Sequence, residues 1–300
     1  HRDLHSFPTR RSSDLARVLS IGPAGEKLSL IASIMSDKYR AAGRSGVGAV
    51  MGSKNLKAIV VRGTQPVQPA RPGDAKEAIA RAQRKLRECD VTAKGLPTYG
   101  TAVLVNVINE SGCYPTENFQ KSVFPAADQV SGEALAERYL VKNTACYRCP
   151  MACGRRCALN GEEGEGPEYE TLWALSADCG VSDLEAVIRA NNLCNEYGLD
   201  TISTGATIAC AMELRQKGFI RPEEADGPPL EFGSGEAIVE WVRKIGRGEG
   251  LGATMAQGSH RLAAAYGAPE LSMSVKKLEL PAYDPRGAQG HGLEYATSNR

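Results

Sequence analysis

The segment Cys146-Tyr-Arg-Cys149-Pro-Met-Ala-Cys153 constrains this chain more than any other. Cys-x2-Cys lets two thiolates converge on one metal or on one face of a cluster. A third thiolate four residues on returns to the same side after about one helical turn. Three clustered cysteines plus one remote ligand are a common way to hold a [4Fe–4S] cluster. Cys157 follows four residues later, so a zinc site built from all four thiolates is the alternative, and a chance grouping is the third. Enzymes that cleave S-adenosylmethionine usually show the opposite order, Cys-x3-Cys-x2-Cys. The chain has nine cysteines, an odd number, with four of them within twelve residues and no signal peptide ahead of them. That pattern fits metal binding in a reducing cytoplasm better than a secreted disulfide framework. The isolated Cys194 and Cys210 read as small buried hydrophobes.

Three hundred residues can bury roughly 75% of their unfolded surface, so the fold needs no covalent staples. The 36 Lys and Arg nearly cancel the 35 Asp and Glu, for a formal charge of +1. This excludes a nucleic-acid binder acting through a broad basic face, and a polybasic membrane anchor. No apolar run is long enough to span a bilayer. The 42% hydrophobic and 24% charged residues are those of an ordinary globular protein, here expected to be cytoplasmic.

Residues 1–15 are polar and basic, lack any strand or helix period, and read as a foreign or mistranslated leader outside the fold. Asn299-Arg300 shows no capping pattern, so both ends read as truncations. From Ala16 the chain is structured. Strands are expected at Val18–Ile21, Leu30–Met35 and Ala58–Val61, with a turn at Gly22-Pro-Ala-Gly25. The proline-rich stretch from Thr64 to Gly73 reads as a linker, with a boundary near residue 68. Helices are expected at Asp74–Cys89, from a capping box at Ser182 (N-cap) and Glu185 to Tyr197 with Gly198 as the stop, from about Ser203 to before Gly218, and at Glu236–Ile245 and Ala253–Tyr266.

Three further segments have two readings each. The glycine-rich run Gly43–Gly52 lacks a dinucleotide or P-loop fingerprint. It is either a tight turn or a close backbone approach to a flat polar ligand, with Arg40 and Arg44 available for phosphates. Asn195-Glu-Tyr-Gly198-Leu-Asp200-Thr201 is a helix–helix turn, or a helix start offering amides, Asp and Thr to polar heteroatoms. The acidic turn from Gly164 to Glu170 faces solvent, or holds a carboxylate near a metal as a proton acceptor. His260 and His291 are too scattered for a histidine metal site.

Together these motifs resemble the aldehyde:ferredoxin oxidoreductase family, whose members bind a tungsten, sometimes molybdenum, bis-pterin. The resemblance rests on Ile21-Gly-Pro-Ala-Gly-Glu26, Arg40-Ala-Ala-Gly-Arg44, Gly48–Ala58, Leu96–Asn106, Gly164–Tyr169, Gly198–Thr204 and Lys276–Gly287, and covers residues 16–300. It implies a predominantly α fold with a small N-terminal β portion: a multi-domain aldehyde ferredoxin oxidoreductase-like fold truncated at both ends. Residues 16–68 would end a β-rich pterin-base domain, 69–273 would form a helical cluster- and pterin-binding domain, and 274–300 would begin a third, helical domain. It implies Cys146, Cys149 and Cys153 as three ligands of a [4Fe–4S] cluster, with the fourth ligand and a second pterin loop expected beyond residue 300. Arg40 and Ala41 match a segment that meets the pterin, as do Gly198, Asp200, Thr201 and Asn195, the last at a position that is often Asp. Glu170 matches a carboxylate close to the metal. The implied reaction turns an aldehyde and water into a carboxylic acid, with electrons passing to ferredoxin. Arg189 and Asn192 stand where some members carry an interface iron motif, so a homodimer would lack that iron. The isolated chain is expected to be inactive. Two other classes stay open: a zinc-stabilised interaction module built on four cysteines, and a non-catalytic electron-transfer relative.

Overall fold

The computed structural model describes residues 16–37, 39–63 and 65–299; the expected leader at 1–15 lies outside them. The described residues are mostly helical, with three small antiparallel sheets. The first has the order β3-β2-β1-β4, from β1 (Arg17–Ile21), β2 (Ile34–Ser36), β3 (Arg40–Ala42) and β4 (Ala58–Val61). Its edge strand β4 is apolar yet open to solvent, with Val60 59% and Val61 57% exposed. Two short helices pack beside this sheet, α1 (Pro23–Glu26) and α2 (Val47–Ser53). The expected turn at Gly22–Gly25 is thus one helical turn, which Pro23 opens without losing a needed donor. Most of the glycine-rich run is helix α2 and serves packing. A Cβ on Gly52 would lie 2.0 Å from the Gly25 carbonyl oxygen, so α1 and α2 meet backbone to backbone there.

Residues 65–71 are exposed and irregular. Beyond them run α3 (Pro72–Glu88), with no buried residue, α4 (Leu96–Tyr99), α5 (Leu104–Glu110) and α6 (Gly132–Arg138). The second sheet is β5 (Leu140–Thr144), β6 (Gly154–Leu159) and β7 (Glu162–Glu165). Next come α7 (Tyr169–Leu175), α8 (Leu184–Tyr197), α9 (Thr201–Gln216), α10 (Gly235–Arg247), α11 (Leu251–Met255) and α12 (Ser259–Ala265). The hairpin β8 (Ser274–Val275) and β9 (Leu278–Glu279) and helix α13 (Gln289–Thr297) close the fold.

The core lies around α9, which is buried from Ser203 to Leu214. Trp173, Ile208, Met212 and Trp241 are fully buried about it. Ala24, Ile31 and Ala32 belong to the same hydrophobic cluster, so the N-terminal segment shares the helical core.

Four local expectations are corrected. The N-cap of α8 is Asp183, not Ser182: its Oδ1 accepts the amides of Glu185 (3.0 Å) and Ala186 (3.2 Å), and its charge suits the helix start. Helix α9 begins at Thr201, two residues early, because Asp200 Oδ2 accepts the Ser203 amide at 3.0 Å. The strand expected over Leu30–Met35 begins only at Ile34, since Leu30 N–H is spent on Ala256 and the Ile31 carbonyl on Asp200. The helix expected over Ala253–Tyr266 is broken at Gly258, whose φ of 87° leaves helical space.

Candidate active site

The loop from β5 to β6 carries Cys146, Cys149 and Cys153. Its turn is closed by the Cys149 amide on the Cys146 carbonyl at 3.0 Å. Arg155, 3% exposed, fastens it. Its guanidinium donates to the carbonyls of Ala152 (2.9 Å) and Cys153 (3.2 Å), to those of Leu96, Pro97 and Thr98 at 2.9–3.1 Å, and to Asn143 Oδ1 at 2.8 Å. One buried cation therefore ties the thiol loop to α4 and to β5.

Two of the three thiols lie near Arg40. Cys146 and Cys153 both interact electrostatically with its guanidinium, and Cys149 with Cys153. Cys146 is exposed, and Cys149 and Cys153 are half-buried. Desolvation, then the Glu168 carboxylate, raises the Cys153 pKa, while Arg40 opposes them. Cys157 belongs elsewhere. It is 3% exposed in the hydrophobic core, packs on Gly166, and burial pushes its pKa up to about 11. That placement sets Cys157 apart from the other three thiols in environment. Among the described residues no group of three or more His, Cys, Asp or Glu is arranged around a single ion.

Arg40, at the start of β3, bridges the loop to a cleft. It pairs with Glu165 at 3.2 Å and Glu168 at 2.9 Å. Burial works against its charge, but these carboxylates and Cys146 raise its pKa overall. Glu168 also accepts from Thr101 Oγ1 at 2.5 Å. The cleft holds about 250 Å³, and Arg40, Ala41, Asn195, Asp200 and Thr201 line it together with Glu165, Glu168, Thr171 and Asn191. Five of the six residues the resemblance implied for the pterin thus share one cavity. Gly198 does not line it. It supplies the left-handed turn (φ 69°) that ends α8, and there it meets Gly22, where a Cβ would lie 2.2 Å from the Tyr197 carbonyl. The Gly198 carbonyl accepts the Ser33 amide at 2.8 Å, so the loop is stitched to the N-terminal segment. Thr201 and Thr171 share a hydroxyl hydrogen bond of 2.8 Å across the cleft wall.

Arg44 joins the cleft to Glu170. Its guanidinium contacts Asp200 Oδ2 at 3.3 Å and the Glu279 carbonyl at 2.7 Å. Glu170, in the first turn of α7, accepts the Ala282 amide at 3.1 Å. Desolvation dominates its environment, and although the Ala282 hydrogen bond and Arg44 oppose it, the pKa rises to about 7. Arg40 together with Asn, Thr and carboxylate side chains gives the cleft both donors and acceptors, which fit the edge of a flat, polar heterocycle. The volume suits about one such ring system. The half-buried thiols are soft ligands suited to an iron–sulfur cluster.

Sequence reading missed Arg155, Glu165, Thr101 and Asn191. Arg155 stood two residues beyond the motif, but its function depends on carbonyls almost sixty residues earlier, which no spacing reveals.

Fold and site define a class: a largely helical protein that holds a thiol-bearing loop beside a polar cleft, with Arg40 between them. The chain belongs to the aldehyde ferredoxin oxidoreductase family. Residues 6–63 match the family's N-terminal domain, and residues 77–300 match its domains 2 and 3. The tungsten-containing aldehyde ferredoxin oxidoreductase of Pyrococcus furiosus is 57% identical over 291 residues, 96% of this chain and 48% of that protein. That of Thermococcus kodakarensis is 54% identical over 290 residues, again 48% of its length. The chain therefore spans about half the length of these curated relatives. Among solved structures, the active-site complex BamBC of benzoyl coenzyme A reductase with 1,5-dienoyl-CoA aligns over 89% of this chain and 43% of that one. Its TM-score is 0.73 at 26% identity. No helix among the described residues is long and apolar enough to cross a membrane.

Proposed function

We propose that this chain binds a tungsten (or molybdenum) bis-pterin and a [4Fe–4S] cluster, and takes part in oxidising aldehydes to carboxylic acids with ferredoxin as electron acceptor. The observation that carries the reading is Glu170: a buried carboxyl titrating at about 7, beside the Arg44–Asp200 pair of a cleft that adjoins three clustered thiols. When bound, the metal–pterin supplies the two-electron oxidation and the cluster the single-electron steps. Cys146, Cys149 and Cys153 would hold the cluster. Arg40, Ala41, Asn195, Asp200 and Thr201 would hold the pterin, with Gly198 shaping their loop. Arg40 compensates negative charge on both sides, since it faces the thiols and the cleft alike. Glu170 orients the water that attacks the aldehyde carbon and takes its proton, a function for which a pKa near neutrality is suited. A domain division at residue 68 is supported by the gap between the two family matches at 64–76 and by the exposed segment there. A second division near 273 falls inside the longer match, which spans two family domains. Localisation is cytoplasmic on this reading, in keeping with nine unpaired cysteines.

The test is metal analysis of the full-length protein purified without oxygen, combined with aldehyde-dependent reduction of ferredoxin. Stoichiometric tungsten or molybdenum with turnover is the expected result. A protein with iron and sulfide but neither metal is an electron-transfer relative, and the proposal fails.

A further inference from the structure

Electrons taken from an aldehyde must pass to a second protein, and that protein has to come close to the thiol loop. The tip of the loop is open to it. Tyr147, between Cys146 and Cys149, is 80% exposed, and Cys146 is exposed beside it. Arg148 follows in left-handed backbone, φ 57°, a conformation in which glycine would sit without strain. Its guanidinium carbon lies 5.2 Å from the centre of the Tyr147 ring, within cation–π range. Among the described residues neither side chain is hydrogen-bonded to another element. The fold therefore leaves both free at the surface. Tyrosine and arginine are enriched where interfaces concentrate their binding energy.

The surroundings carry an excess of one sign of charge. Residues 140–156 contain Lys142, Arg148, Arg155 and Arg156 and no Asp or Glu, in a chain whose formal charge is only +1. Arg155 is occupied with the carbonyls of its own loop and of α4. Arg156 pairs with Glu163 at 3.5 Å and lies over the Tyr39 ring. Lys142 and Arg148 are exposed, and neither has an ion pair among the described residues. The excess extends to α3. Asn143 Nδ2 donates to the Pro97 carbonyl at 2.7 Å, which joins β5 to α4. Thr92 Oγ1 donates to the Leu86 carbonyl at 2.5 Å, which joins the segment before α4 to the end of α3. Helix α3 has no buried residue and carries five basic side chains against three acidic ones.

Complexes that pass electrons are small and weak, below about 1,200 Å² of buried surface, and charge attraction governs how fast and how selectively such partners meet. One exposed ring with two free cations, flanked by a basic helix, suits such an encounter with an acidic protein. We propose that Tyr147, Arg148 and Lys142 form the docking surface for the electron acceptor, a small acidic iron–sulfur protein, with α3 extending the field that steers it; the inference rests on the aldehyde-oxidation reading. Each encounter moves one electron outward and reduces the partner by one, so two encounters follow each aldehyde. No bond forms or breaks at the surface.

The experiment titrates the full-length holoprotein, purified without oxygen, with an acidic [4Fe–4S] ferredoxin in a calorimeter, at low and at high salt. Cytochrome c, a basic protein, is the control. Wild type should bind the ferredoxin at low salt, lose most of that affinity at high salt, and ignore cytochrome c. Arg148→Glu should weaken binding about tenfold or more at low salt, with a smaller difference at high salt. Tyr147→Ser should weaken it about tenfold at either. Lys142→Glu, on β5 and outside the cysteine motif, should act like Arg148→Glu and decides the question if a loop variant loses iron. In turnover all three should raise KM for ferredoxin. Aldehyde-dependent reduction of benzyl viologen, a small dye that needs no docking surface, should keep its wild-type rate. Wild-type affinity in Lys142→Glu and in an iron-replete Arg148→Glu overturns the surface even when the dye is reduced. So does a wild type that fails to bind ferredoxin at low salt, or that holds cytochrome c equally well. Ferredoxin binding that depends on these three residues, in a tungsten-replete protein that reduces no dye with any aldehyde, overturns the aldehyde reading instead.

Discussion

Burial makes Glu170 a base near neutrality. In water its carboxyl would titrate near 4.5, and the low-dielectric surroundings move it to about 7. Two consequences follow from the same shift, with opposite signs. Turnover that needs the carboxylate should rise with pH and level off above about 7. Stability should do the reverse, because the folded state holds this proton more tightly than the unfolded state: it falls as pH rises from about 4.5 to about 7 and stays lower beyond. Glu170→Gln should therefore lower kcat by about 10²–10⁴-fold at constant metal content, yet raise Tm above pH 7 and leave it unchanged at pH 4. Unaltered turnover in a metal-replete Gln variant would exclude the base role. The cysteines divide in the same way, by environment. Cys149→Ser in the full-length protein should abolish the iron–sulfur spectrum. Cys157→Ser should spare it and cost about 1–2 kcal/mol for a buried hydroxyl, read from denaturant unfolding. Equal loss of iron in both would show that Cys157 is a ligand.

At the scale of elements, the site depends on how closely α7 approaches α9. Glu170 and Thr171 stand on α7 and Thr201 on α9, and Gly205 lets the two helices touch. A Cβ on Gly205 would lie 2.3 Å from the Ala174 carbonyl oxygen, too close for any real contact. Gly205→Ala would gain about 1 kcal/mol in helix propensity, but must push the helices apart. The expected outcome is a net loss of about 1–3 kcal/mol and a weaker Thr171–Thr201 hydrogen bond, measured by thermal unfolding and by a fall in pterin content. A stabilised, fully loaded Ala variant would show that the helices can separate without disturbing the site. The ends of α8 and α9 carry a similar lesson. Asp183 and Asp200 each cap a helix, but Asp200 also holds Arg44, so a local capping device and a cleft wall are one residue.

At the scale of the molecule, α8 turns its Arg189 outward to solvent. Arg189 offers a charged donor with no lone pair, so it cannot replace a carboxylate ligand at a subunit interface. A dimer of the full-length protein, if formed, should survive chelators, as followed by sedimentation with iron analysis. Iron beyond the cluster's own, lost together with the dimer, would contradict this.

By itself the sequence determined what is local and chemical: the thiol spacing, the strand Val18–Ile21, the helix ending at Gly198, and the residue types that a polar cofactor requires. Short-range geometry and turn chemistry fix these, whereas Asp200 and Thr201 stood out only through the family resemblance, since their segment alone reads equally as a helix–helix turn. Only the tertiary structure revealed that Cys157 differs from the other three cysteines in burial rather than in spacing. It likewise revealed Arg155, whose partners at Leu96–Thr98 are remote in sequence, and it joined Glu170 to Ala282 across 112 positions. Burial sets the Glu170 pKa, and burial is a property of the packed whole.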